Sequence, residues 1–145
     1  MKDILSLDRP APPAYSFSAP FWEATRDRKL LLQFCCHTGK PQFYPRPTSI
    51  FTGRRDIEWR EVSGRGTIYT YTIARIGAGA LRGCEPYIIA NVELDEGVNI
   101  LGNLMGCAMD EVFIGMRVRP LWQALSDGKN ILMFEPDAGP QPATT

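Results

Sequence analysis

Cys35, Cys36 and His37 are consecutive in the chain, and a thiol beside an imidazole is a pairing that nucleophilic catalysis uses. Such a nucleophile needs a base within hydrogen-bond reach, and the base needs a third group to hold its ring. Sequence neighbours do not meet that need by themselves, and nothing in the sequence orients the ring of His37. It is the only histidine in the chain, so every histidine-dependent mechanism rests on one loop residue. Cys84 stands in a glycine-rich stretch and Cys107 near a turn, and both read as inert small residues. Asp95-Glu96 and Asp110-Glu111 are carboxylate pairs at turns, where solvation is the expected state. Gly64-Arg65-Gly66 echoes a phosphate loop but precedes a strand, so no helix N-terminus is on offer for an anion. A bend entering a barrel explains it better.

Basic residues offer a different chemistry. Lys40, Arg46, Arg54, Arg55, Arg60, Arg65, Arg75 and Arg82 follow one another along the middle of the chain. Guanidinium forks suit phosphate and carboxylate geometry, so this group could meet a nucleotide phosphate, an acidic partner or only water. Across the whole chain 16 basic and 16 acidic residues cancel, which argues against nucleic-acid binding, since that needs an excess of cations.

The 145 residues, 44% of them hydrophobic, are enough for one domain with a real core. The N-terminus lacks the apolar centre of a signal peptide, and no apolar run reaches the roughly 18 residues of a membrane span. With no framework spacing, the four cysteines are expected to be free thiols of a cytoplasmic protein.

The elements that must position these groups are mainly strands. Residues 1–17, with Pro10, Pro12 and Pro13, read as an extended arm that is ordered only if something covers it. Ser18 is placed to cap a short helix with Pro20 in its first turn. Phe21, Trp22, Thr25 and Leu30 give it an apolar side, for packing or for docking on a partner. Leu30–Phe34 reads as a strand, and 41–47 is too rich in proline for regular structure. Ile57–Val62 alternates as another strand. The stretch from Gly64 to Ile73 organises the rest: Tyr69, Tyr71 and Ile73 alternate with Thr70 and Thr72 in the period of a half-buried strand. Four later segments look built to pair with it. Gly77–Gly83 reads as a flexible loop, Pro86–Leu94 as a buried strand, and Asp95-Glu96-Gly97 as a hairpin turn before its mate at 98–105. Arg117–Trp122 and Ile131–Phe134 complete the set, with Pro120 near an edge or bulge. Five uneven strands suit a small Greek-key barrel of the OB type, with a small β-sandwich as the alternative.

The succession of a helix, Leu32-Gln33-Phe34-Cys35, Phe43-Tyr44-Pro45-Arg46, Ser63-Gly64-Arg65-Gly66-Thr67 with its Tyr-Thr-Tyr-Thr run, Pro86-Tyr87, Leu94-Asp95-Glu96-Gly97 and Gly115-Met116-Arg117-Val118 resembles a known family. Its members are small proteins that pair a rubredoxin-like zinc ribbon with an OB-fold in acyl-CoA metabolism. The resemblance runs from about Phe21 to Pro136. It implies a mainly β chain: arm and helix over 1–33, a degenerate zinc-ribbon-like segment over 34–60, an OB-fold over 61–138 and a tail over 139–145. It also implies a non-catalytic accessory subunit that binds acyl-CoA or scaffolds a thiolase-like enzyme (a thiolase, an aldolase or an acyltransferase). Two Cys-x-x-Cys knuckles would hold the family's zinc. Here Cys35 keeps one ligand position, while Thr38, Ser49 and Thr52 fill the others. Zinc is therefore not expected, and the loop should be held by Phe43, Tyr44, the prolines and Trp59. No other cofactor is expected; coenzyme A or acyl-CoA is the candidate ligand. Arg46 and Arg65, carried on the family's motifs, head the candidate contacts for coenzyme A or a partner, followed by Lys40, Arg75, Arg82, Phe21 and Trp22. A stand-alone thioester-processing enzyme and a single-strand nucleic-acid binder are the rivals, and a homodimer stays open.

Overall fold

The computed structural model describes residues 2–13 and 15–137; the tail expected over 139–145 lies outside them. Strands β1 (Leu30–Cys35), β2 (Pro41–Gln42) and β3 (Ile57–Val62) form a small antiparallel sheet in the order β2-β1-β3. Gln33 pairs with Gln42 on one side and Trp59 on the other. The divisions expected at 33/34 and 60/61 therefore fall inside strands of one sheet.

The remaining strands, β4 (Gly66–Ala74), β5 (Tyr87–Leu94), β6 (Asn99–Leu104), β7 (Arg117–Ala124) and β8 (Asn130–Pro136), close into a barrel in the order β4-β5-β6-β8-β7. This is the OB-type barrel, and it excludes the sandwich. In a closed barrel each strand has two neighbours, so β4 pairs only with β5 and β7. The expectation that four later segments pair with it does not hold. Ile88, Ala90, Val92 and Leu94 alternate inward along β5 and meet Ile68, Ile100, Leu104, Val118 and Phe134. Each large apolar side chain buried this way contributes on the order of 1.5–3 kcal/mol.

The alternation expected along β4 breaks at one residue. The register slips between Ile68 and Thr70, so Tyr69 takes the bulge position and is 60% exposed. Of the two glycines ahead of it, Gly64 takes the bend with φ +71°. Gly66 is extended and serves close approach instead. A Cβ there would stand 2.4 Å from the carbonyl oxygen of Glu93 and 2.8 Å from Val92 Cγ1.

Helix α1 (Ala19–Thr25) starts at Pro20's turn but is not capped by Ser18. The Ser18 hydroxyl faces backward, accepting from Tyr15 N–H and donating to Tyr15 O. The helix is tied at its other end: Asn130 N–H donates to Thr25 Oγ1 at 3.1 Å, and Asn130 Nδ2 donates to Thr25 O at 2.8 Å. The N-terminal arm is covered by its own barrel. Ile4 is 3% exposed and packs in a second apolar cluster with Cys84, Tyr87 and Met133. Gln123 Nε2 donates to Ile4 O at 2.6 Å, and Arg9 Nη1 donates to Gln123 Oε1. The loop after β4 is likewise anchored: the Glu85 carboxylate accepts from Gly77 N–H and Gly83 N–H, so the flexible loop expected there is a pinned one.

Two stability measurements check this architecture. Gly66→Ala forces a side chain into backbone, and equilibrium denaturation should register a loss of about 1–3 kcal/mol. Arg117 Nη1 and Nη2 donate to Asp95 Oδ1 and Oδ2 at 2.7 and 2.8 Å, and this bond holds the Asp95 carboxyl below its ordinary range. A folded pKa below the unfolded one gives stability that is complete above about pH 4 and lost as pH falls through the folded value. Asp95→Asn should therefore flatten the acid limb of the pH–stability curve, by no more than about 1 kcal/mol because the pair faces solvent.

Candidate functional site

Two turns at the end of the small sheet share one hydrogen-bond pattern. In the first, Cys35 N–H donates to Lys40 O at 2.9 Å and Gly39 N–H donates to Cys35 O at 2.8 Å. Lys40 N–H reaches Thr38 Oγ1 at 3.3 Å. In the second, Ser49 N–H donates to Arg54 O at 2.8 Å and Gly53 N–H to Ser49 O at 2.9 Å. Arg54 N–H reaches Thr52 Oγ1 at 3.2 Å. Gly39 and Gly53 complete the likeness with φ of +69° and +71°, a region that side chains rarely occupy.

The turns meet face to face. Cys35 is fully buried and Ser49 is 1% exposed. The Ser49 and Thr38 hydroxyls hydrogen-bond to the Cys35 sulfur and, against the effect of burial, hold the thiol down at about 7. These four positions supply one thiol and three hydroxyls, and neutral hydroxyls are not the sulfur or imidazole donors that tetrahedral zinc takes. Among the described residues no three His, Cys, Asp or Glu side chains cluster for a metal. The donor set does not fit zinc.

What holds this tip is a pair of buried amides. Gln33 and Gln42 are each 2% exposed, and Gln42 Nε2 donates to Gln33 Oε1 at 2.8 Å. Gln33 then receives Arg46 N–H and donates to Arg46 O, both at 2.8 Å. Gln42 donates to Thr48 O at 3.0 Å and receives Ile50 N–H at 2.8 Å. The expectation that Phe43, Tyr44, the prolines and Trp59 hold the loop is right only in part. Phe43 packs on Phe21 with ring centroids 5.9 Å apart, but Tyr44 is 55% exposed. A glutamine between apolar strand neighbours, as in Leu32-Gln33-Phe34, was the available signal.

The basic candidates fall in three places. Lys40 and Arg46 lie on the tip, Lys40 Nζ 5.7 Å above the Phe51 ring. The tip, residues 36–56, carries Lys40, Arg46, Arg54 and Arg55 against the single carboxylate Asp56, around exposed Tyr44, Ile50 and Phe51. Arg65 opens on a cleft of about 330 Å³ that Arg28, Lys29, Arg119 and Trp122 also line. Arg75 and Arg82 flank the pinned loop at the other end of β4, which at nine residues puts about 30 Å between Arg65 and Arg75. Those arginines do not form one site. Phe21 is buried in the core, edge-on to half-buried Trp22 at 5.1 Å, as the packing reading of the pair has it.

The Cys-Cys-His run is more ordered than expected. Cys36 is exposed, its N–H donating to Asp56 O at 2.8 Å. His37 Nε2 stands 3.0 Å from Asp56 Oδ2, an ion pair only when the ring is protonated, and Asp56 Oδ2 is buried without a hydrogen-bond partner. The imidazole lies beside Asp56 in the segment that also carries exposed Lys40, Arg46, Arg54 and Arg55.

Comparison with known proteins agrees with this architecture. The family described as ChsH2, C-terminal OB-fold domain, matches residues 59–123. A DUF35 domain-containing scaffold protein of Pyrococcus furiosus is 33% identical over 98 residues, 68% of this chain and 72% of the relative. A probable enoyl-CoA hydratase alpha subunit of Thermomonospora curvata is 32% identical over 128 residues, 88% of this chain but only 40% of that longer protein. Among solved structures, a chain described as Ltp2-ChsH2(DUF35) aldolase superposes with a TM-score of 0.77 at 30% identity. That superposition covers 87% of this chain and 98% of the other.

The amide clasp generates a direct test. Gln33→Leu leaves the Arg46 backbone and the Gln42 amide without partners, at about 1–3 kcal/mol for each buried group. Hydrogen exchange should show amides 43–50 losing protection while those of the barrel keep theirs.

Proposed function

Since the chain belongs to the DUF35/ChsH2 OB-fold family of scaffold proteins, we propose that it is a non-catalytic accessory subunit that docks on a thiolase-like enzyme of acyl-CoA metabolism. The observation that carries this reading is the superposition on nearly the whole of the ChsH2(DUF35) chain, at 98% coverage. A relative described as an enoyl-CoA hydratase alpha subunit supports the acyl-CoA setting. The partner enzyme supplies nucleophile and base; this chain supplies a rigid surface.

The tip is the contact surface in this reading. Its backbone is locked by Gln33 and Gln42, so Lys40, Arg46, Tyr44, Ile50 and Phe51 are presented with little ordering cost on binding. Aromatic and arginine side chains in such a patch are what interface hot spots use. The four cations favour an acidic rim on the enzyme and speed encounter with it. Acyl-CoA, when it reaches this chain, meets Arg65 and its neighbours through phosphate. Arg65 Nε forms an ion pair with Asp137 Oδ2 at 3.9 Å.

Co-expression with the thiolase-like enzymes of its own cell tests this. One of them should co-elute with the chain in constant ratio and turn over its acyl-CoA substrate only with the chain present. The double reversal Arg54→Glu, Arg55→Glu should weaken that complex about tenfold or more, equivalent to roughly 1.4 kcal/mol, with most of the loss removed at high salt. Thioester turnover by the purified chain alone, lost on Cys36→Ala or His37→Ala, would replace the accessory reading with the stand-alone enzyme.

A further inference from the structure

We infer that the tip is a double metal knuckle from which the metal has been lost, its ligand positions now Cys35, Thr38, Ser49 and Thr52. The Ser49 and Thr38 hydroxyls close on the Cys35 sulfur, and Thr52 is turned to the Arg54 N–H. This inference does not depend on which enzyme the chain docks on.

Two identical turns facing one another are an unusual way to end a three-stranded sheet. Chain economy does not demand the repetition, because one hairpin would join β1 to β2 and any loop could follow. The repetition is what a tetrahedral ion demands: two pairs of ligands, each pair spaced by two residues, each pair on a turn whose backbone amides point inward. Cys35 with Thr38 and Ser49 with Thr52 have that spacing. The inward amide is present too, since Phe51 N–H donates to Ser49 Oγ at 3.1 Å. At the centre, the hydroxyls of Ser49 and Thr38, standing where thiolates would ligate, instead hydrogen-bond to the one sulfur left.

Losing a structural metal ordinarily unfolds such a tip, because metal binding is a large part of its folding free energy. Here the loop that carries the second turn is fastened independently. Gln33 grips Arg46 at its start, and Gln42 grips Thr48 and Ile50 around Ser49. The amide clasp thus stands outside the ligand positions and keeps the two turns opposed whether or not an ion lies between them.

The test is to measure metal in the natural chain and to give the knuckles back their thiols. The full-length protein, expressed in zinc-supplemented medium, should contain far less than stoichiometric zinc by plasma mass spectrometry. Its thermal midpoint should not move with EDTA. The variant Thr38→Cys, Ser49→Cys, Thr52→Cys should bind one cobalt ion per chain with the visible bands of tetrahedral four-thiolate coordination, and zinc should displace it. Stoichiometric zinc in the natural chain, or a midpoint lowered by EDTA, would overturn the inference. So would a triple variant that is folded by circular dichroism yet gives no tetrahedral cobalt spectrum. If the triple variant is unfolded without metal, refolding on addition of zinc supports the inference, and failure to refold overturns it.

Discussion

A backbone amide or carbonyl removed from water must find a partner, and the tip loop, the N-terminal arm and the end of the helix have no strand ladder to provide one. Buried side-chain amides meet that demand. Gln33 and Gln42 hold the tip loop, Gln123 holds the arm through Ile4 O, and Asn130 holds the end of the helix through Thr25 O. Each of the four is 6% exposed or less. An amide carries both donor and acceptor on one planar head, so it can mimic a missing strand at a single point. Take these residues away and the barrel keeps its core, while the arm, helix and tip lose their places on it.

That division of labour explains what kind of protein this is. The barrel is closed, and Ile68, Ile88, Val92, Val118 and Phe134 pack its interior. Apolar space lies outside it: a cavity of about 270 Å³ sits between the barrel and the arm, lined by Ile4, Cys84, Tyr87, Leu104, Met105 and Cys107. The exposed chemistry is carried by the appended tip, where four cations ring three exposed apolar side chains. A packed apolar core with an appendage fastened to it by buried amides suits a family of scaffolds.

The barrel was legible because its signals are local. Period-two apolar positions, Asp95-Glu96-Gly97 at a hairpin and Gly64 at a positive φ all act within a few residues. The family motifs lie on these same elements, so resemblance and pattern led to one fold. What escaped is non-local. The worth of Gln33 depends on Arg46 and Gln42, which only folding brings beside it, and propensity treats a glutamine in a strand as a minor fault. The bulge at Tyr69 was hidden because a slipped register conserves composition while turning one side chain outward. The arm looked uncovered because the apolar surface that covers it, Tyr87 and Met133 among others, comes from strands far along the chain. The separation of the arginines was hidden for the opposite reason. Arg65 and Arg75 are close in sequence, yet an extended strand is the longest way for a chain to spend ten residues.

The same reasoning bears on where reactive groups can sit. Catalysis needs a nucleophile, a base and a charge-stabilising donor held within a few ångströms of one reacting atom. In this chain His37 is turned to Asp56, Cys35 is sealed beneath Ser49 and Thr38, and Cys84 is buried under the arm. Exposed Cys36 is left beside a histidine whose partner is a carboxylate on the rim. Hydrogen bonds that could have been aimed at a substrate are used inside the tip to fix its own shape. A surface of fixed shape with its cations facing outward gains nothing for a bond-making step, but it loses little entropy when a second protein settles on it.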